Sequence, residues 1–183
     1  MTVVHRYDPP ERFVAGTVGE PGQRTFFLQA RSGARLTSVA LEKQQVSLLA
    51  QRVDGLLDDV MRAEGGPEIV PALAPVGLED NAPLEQPIDE DFRAGTMTLA
   101  WETDTQRVVI EVFALDSPEP DEEFDPEQAS EVLVVSLTSA AARAFCKRAS
   151  AVVSAGRPPC QFCGGPLDPR GHLCPRANGF RRR

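Results

Sequence analysis

The chain has 183 residues, of which 42% are hydrophobic and 25% charged, with a net charge of −8. This length suits one domain, or one domain with an appendage. No stretch approaches the roughly 20 apolar residues of a membrane span, and Met1–Asp8 lacks the apolar run of a signal peptide. The charge is unevenly spread. From Arg157 onward six arginines face a single acid, giving +5, and the rest of the chain carries −13. A body that acidic is a poor platform for nucleic acid. The expectation is a soluble cytoplasmic protein without membrane attachment.

In chain order, Phe13-Val-Ala-Gly-Thr17 opens a first strand-like segment. Phe26, Leu28 and Ala30 then alternate with Thr25, Phe27 and Gln29, the period of a strand. Leu36–Leu41 is a third such segment. Along Glu42–Arg62, Val46, Leu49, Val53, Leu56 and Val60 recur at helical spacing, which predicts a helix over 42–62. Residues 63–91 carry prolines at 67, 71, 75, 83 and 87 and read as a Pro-rich linker. Ile69, Val70, Leu73, Leu78 and Leu84 give that linker the means to strap across the body.

The same order then repeats. Phe92-Arg-Ala-Gly-Thr96 matches the first motif at an offset of 79 residues. Ile110, Val112 and Ala114 follow at 84, and Val132–Leu137 at 96. Adding 96 to Val46, Leu49, Val53 and Leu56 yields Ala142, Phe145, Ala149 and Val152, again an apolar stripe at helical phase. The growing offset places extra residues in the turn near Thr103–Gln106 and in an acidic loop, 116–130, whose prolines and like charges favour an extended, solvated segment. The expected fold class is α+β, with two pseudo-symmetric strand-strand-strand-helix repeats, 1–62 and 92–156, sharing one body. The glycine of each Phe-x-Ala-Gly-Thr motif marks a strand bulge or a close backbone approach under a helix.

Residues 157–183 form a separate basic tail. Within it, Cys160-Gln-Phe-Cys163-Gly-Gly and His172-Leu-Cys174 gather three of the four cysteines and one of the two histidines into fifteen residues. Zinc takes four tetrahedral thiolate and imidazole ligands. A Cys-x-x-Cys pair reaches one ion from a tight turn, and a His-x-Cys pair in extended chain places both side chains on one face. Cys160, Cys163, His172 and Cys174 therefore predict a zinc-knuckle or ribbon-like module with a closed shell, which means structural zinc. A redox or disulfide role is less favoured, because no helix following a strand frames the Cys-x-x-Cys. Cys146 is the substitute fourth ligand, although its place beside the apolar stripe favours a small buried thiol. His5 reads as a surface histidine.

The motifs Arg12-Phe13-x-Ala-Gly-Thr17, Phe92-x-Ala-Gly-Thr96 and Cys160-x-x-Cys-Gly-x-Pro-Leu-Asp-Pro-x-Gly-His172-x-Cys-Pro-Arg-Ala-Asn-Gly-Phe180 resemble an actinobacterial family catalogued as domain of unknown function 3090. The resemblance spans the chain and implies an actinobacterial cytoplasmic protein. It brings no established activity.

The chain carries no Walker loop, dinucleotide turn, nucleophile elbow or HExxH motif. The favoured reading is a zinc-containing binding or interaction protein with an unknown protein partner or small anionic ligand. An alternative is an enzyme or sensor for a phosphorylated or other anionic small molecule, bound between the repeats by Arg52 and its counterpart Arg148. Nucleic-acid or partner contact through Arg170, Arg176, Arg181, Arg182 and Arg183 is less favoured, given the acidic body and only Phe162 and Phe180 for stacking.

Overall fold

The computed structural model describes residues 1–63, 66–116, 125–156, 160–165, 167, 172, 174 and 176. In chain order these form β1 (Val3–Tyr7), β2 (Arg12–Val18), β3 (Thr25–Ser32), β4 (Arg35–Leu41), α1 (Lys43–Ala63), β5 (Phe92–Glu102), β6 (Arg107–Ala114), β7 (Glu131–Thr138) and α2 (Ser139–Ser154). The α+β class matches the sequence pattern. The strands make one sheet in the order β1-β7-β6-β5-β4-β3-β2. β2, β3 and β4 pair as one antiparallel meander, and β5, β6 and β7 as a second. The two meet through a short parallel bridge, Val39↔Phe92 and Ala40↔Arg93.

β1 is an element that hydrophobic alternation does not predict. It pairs in parallel with β7 from Val3↔Glu131 to Tyr7↔Val135. Side chains of β1 also reach β4. Tyr7 Oη and Thr37 Oγ1 lie 2.8 Å apart, and the Arg35 guanidinium stacks 4.3 Å from the Tyr7 ring centre, a cation–π contact. His5 is consequently not a free surface histidine. Its Nε2 sits 2.7 Å from Glu131 Oε2 across the β1–β7 ladder.

The main core draws side chains from all seven strands and both helices, and two smaller clusters flank it. On α1 the buried residues are Val46, Leu49, Ala50, Val53, Leu57 and Val60. Leu57 thus takes the fully buried place after Val53, with Leu56 half-buried against the core beside it, and both spacings suit 3.6 residues per turn. Complete burial of a leucine such as Leu57 stabilises by about 1.5–3 kcal/mol. On α2, Ala142, Phe145 and Ala149 are buried as the pattern predicts, and Val152 is half-buried. Phe145 stacks on Phe13, ring centres 4.7 Å apart.

Both helices begin with side-chain caps. Gln45 Oε1 accepts from the Glu42 N–H at 2.8 Å, satisfying an otherwise orphaned donor. The same Gln45 amide donates to the carbonyls of Ala94 and Gly95, so the start of α1 is tied to β5. Thr138 Oγ1 accepts from Ala141 N–H at the start of α2.

Residues 66–91 strap across the body. Val70 and Leu84 are buried, whereas Leu73 and Leu78 are exposed. Gln29 holds the strap as a strand would, donating to Glu85 O at 3.1 Å and accepting from Glu85 N–H at 2.7 Å. Leu84 lies over Gly16, where an added Cβ would come within 2.6 Å of it. The glycine of the first motif therefore serves a close approach, under the strap rather than under a helix. Its counterpart Gly95 sits at a register irregularity between Ala94 and Met97, a bulge. The neck of the acidic loop is closed by Asp116, which accepts from Ser130 N–H at 2.7 Å and Ser130 Oγ–H at 2.6 Å. Residues 117–124 of that loop lie outside the described residues.

Candidate metal centre

The Cys-x-x-Cys pair occupies a tight turn over residues 161–163. Cys160 N–H donates to Gly165 O at 2.7 Å, and Gly164 N–H donates to Cys160 O at 2.9 Å. Gly164 has φ +72°, a left-handed conformation that glycine adopts without a Cβ penalty. This turn aims both thiols the same way. Cys160 and Cys174 are buried, and Cys163 and His172 are half-buried.

The ligand atoms of Cys160, Cys163, His172 and Cys174 all lie within 4.8 Å of one another. The Cys160 and Cys174 sulfurs are 3.8 Å apart, nearly twice the S–S bond length of about 2.05 Å. A tetrahedral ion with Zn–S bonds of about 2.3 Å sets sulfur–sulfur edges of about 3.8 Å. Cys163 Sγ and His172 Nε2 are 3.0 Å apart, so this edge would open slightly around an ion. Backbone N–H groups of Cys163 and Phe162 pull the Cys160 thiol down to about 6, favouring the thiolate that coordinates metal. Four donors of this kind fit a single ion and could hold it without an open position.

Cys146 stands apart from this cluster. It packs between the helices with its Sγ 3.4 Å from Ala50 O, and burial pushes its thiol up to about 12.

The arginines singled out from sequence are separated. Arg148 is committed to the body: it donates to Ala15 O at 2.8 Å, Asp80 Oδ1 at 2.9 Å and Ala82 O at 2.8 Å. Arg52 is exposed on α1 and lines a different cavity. Arg176 donates to Phe162 O at 3.2 Å across the Cys/His cluster. Arg170, Arg181, Arg182 and Arg183 lie outside the described residues.

Two charged clusters escape sequence reasoning because their partners are far apart in the chain. Arg12 and Arg148 converge on Asp80, with Arg12 Nε 2.6 Å and Nη2 2.9 Å from its oxygens. Arg143, only 4% exposed, spans α1 and the strap. It bonds Asp54, Asp58 (2.6 Å) and Pro71 O (2.9 Å).

Fold and site together define an α+β protein with a Cys3His cluster suited to one metal ion. The chain belongs to the family described as Protein of unknown function (DUF3090), whose model matches residues 5–174. No curated protein and no solved structure matches it. Among the described residues, no helix is long and apolar enough to cross a membrane.

Proposed function

We propose that this is a cytoplasmic binding or interaction protein whose C-terminal module is folded by structural zinc. The observation that carries the reading is the convergence of Cys160, Cys163, His172 and Cys174 within 4.8 Å. Three thiolates and an imidazole are a zinc donor set, and a shell filled by protein leaves no position for a reactive water. In this reading zinc shapes the module, and recognition falls to surfaces of the body and to the basic tail.

The body is proposed to be two pseudo-symmetric strand-strand-strand-helix repeats. In support, β2-β3-β4-α1 and β5-β6-β7-α2 follow one order. Ala50 and Cys146, equivalent at the 96-residue offset, meet where α1 packs on α2. Equivalent positions meet in this way when two copies are related by an axis through their contact. The surface between the units is then the natural place for a small anionic ligand or a protein partner.

The test is metal content. Protein purified without added metal should carry one zinc per chain by native mass spectrometry. Cys163→Ser and His172→Ala should each lower occupancy. A wild-type chain that is fully reduced, folded and metal-free after growth with zinc would overturn the reading.

A further inference from the structure

A cavity of about 600 Å³ opens between α1 and β5, one element from each strand-strand-strand-helix unit. Its wall is apolar, formed by Leu48, Leu56, Met97 and Leu99. Leu48 is 49% exposed, and the other three are half-buried where they abut the core. A concave apolar wall of this size with a few polar groups at its edge is the usual form of a small-molecule site.

Arg52 supplies the edge. Among the described residues its guanidinium has neither an ion-pair partner nor a hydrogen bond. The acid that shares the cavity, Asp59, is already bound to Arg62 at 2.7 Å. The cavity therefore presents a guanidinium with no partner among the described residues beside exposed hydrocarbon.

Gly55 keeps the wall of the groove open. It lies in the interior of α1 and lines the cavity, and a Cβ built on it would meet nothing within 4 Å. Glycine is unfavourable in a helix interior relative to alanine. No close packing within the chain requires it here, so what it preserves is free space in the groove.

We propose that this groove binds a small amphipathic carboxylate. The hydrocarbon body lies on Leu48, Leu56, Met97 and Leu99, and the carboxylate is held by the Arg52 fork. The proposal rests on reading the surface between the two units as the functional one, and it is independent of zinc.

Decanoate and decanol serve as the paired probes, titrated by calorimetry into zinc-loaded full-length protein whose metal content is measured on the same sample. Decanoate is expected to bind saturably at one site. Arg52→Gln should weaken decanoate about tenfold or more while leaving decanol within about twofold. Gly55→Leu should abolish binding of both without lowering Tm, because its side chain enters empty space. Absence of saturable decanoate binding, or equal loss of both probes in Arg52→Gln, would overturn the proposal. So would unchanged binding in Gly55→Leu. Failure of decanoate on a chain carrying one zinc overturns the groove and leaves the metal reading intact; decanoate binding to a chain that is reduced, folded and metal-free after growth with zinc overturns the metal reading and leaves the groove intact.

Discussion

The body and, on the proposed reading, the C-terminal module are held by opposite means. In the body, side chains from seven strands and two helices fill the main core. In the described part of the module, Cys160 and Cys174 are the buried residues, and the aromatic Phe162 is 64% exposed. Burial spreads stability over many contacts, each worth about 1–3 kcal/mol, so the loss of one is survivable. Coordination of the proposed ion by Cys160, Cys163, His172 and Cys174 would concentrate it in one place. Structural zinc contributes about 10–16 kcal/mol of apparent binding energy to a small domain at neutral pH, and the loss of one ligand reaches all of it.

Removing the metal is the largest perturbation and the cleanest way to break the comparison. A strong chelator, or Cys174→Ser, is expected to abolish amide-exchange protection at Cys160 and Gly164 while the strands of the body keep theirs. If the body's protection collapsed along with the module's, the two regions would be one cooperative unit and the contrast would fail.

The complementary perturbation is Leu57→Ala. Leu57 has no exposed surface, and truncating it should cost about 2–5 kcal/mol. The effect should appear in the urea midpoint of the body with zinc content unchanged. Parallel loss of zinc would show that the module depends on the core after all.

What could be read in the sequence follows this division. The Cys/His cluster was legible because donors gathered from a short segment lie close in sequence: Cys160 to Cys174 is a local pattern. The helices were legible because burial on one face leaves a 3.6-residue period, though the period alone does not separate Leu56 from Leu57. β1 was not legible, since Val3-Val-His-Arg-Tyr7 shows no clean alternation and becomes a strand only by pairing with β7, more than a hundred residues away. Arg148 was recognisable as an anion-binding side chain, but the anion it meets is Asp80 of its own strap, 68 residues distant. Gly16 could be read as a close approach, whereas its partner Leu84 had to come from the fold.

The strap allows a sharper comparison through pH. The hydrogen bond from Arg12, reinforced by its charge and opposed by burial, holds Asp80 below the usual aspartate range. A carboxylate with a depressed folded pKa contributes stability that is present above its unfolded value of about 3.9 and is lost as pH falls through the folded pKa. Stability should therefore drop on acidification below about pH 4. Asp80→Asn should be less stable than wild type near neutrality and should lose less on acidification. Urea midpoints measured from about pH 6 to about pH 2 test this; parallel curves for the two proteins would remove Asp80 from the acid response. The proposed zinc would also be released at low pH as its ligands protonate, so the comparison is best read from probes in β2 and β3.

The smallest expected effect has the opposite sign. Gly55→Ala adds one methyl group to an exposed position in the interior of α1, with no atom of the chain within 4 Å to obstruct it. Alanine favours the helix over glycine by about 1 kcal/mol, partly by restricting the unfolded chain. For a body of this size that should raise Tm by about 2–4 °C. The gain should be the same with zinc bound or removed, because it belongs to the body alone. If Tm fell instead, α1 would need the glycine for its own geometry and the groove argument would lose its support from Gly55. If Tm rose while decanoate binding weakened, the glycine would be a position where the body gives up stability to keep space for a ligand, as functional sites commonly do.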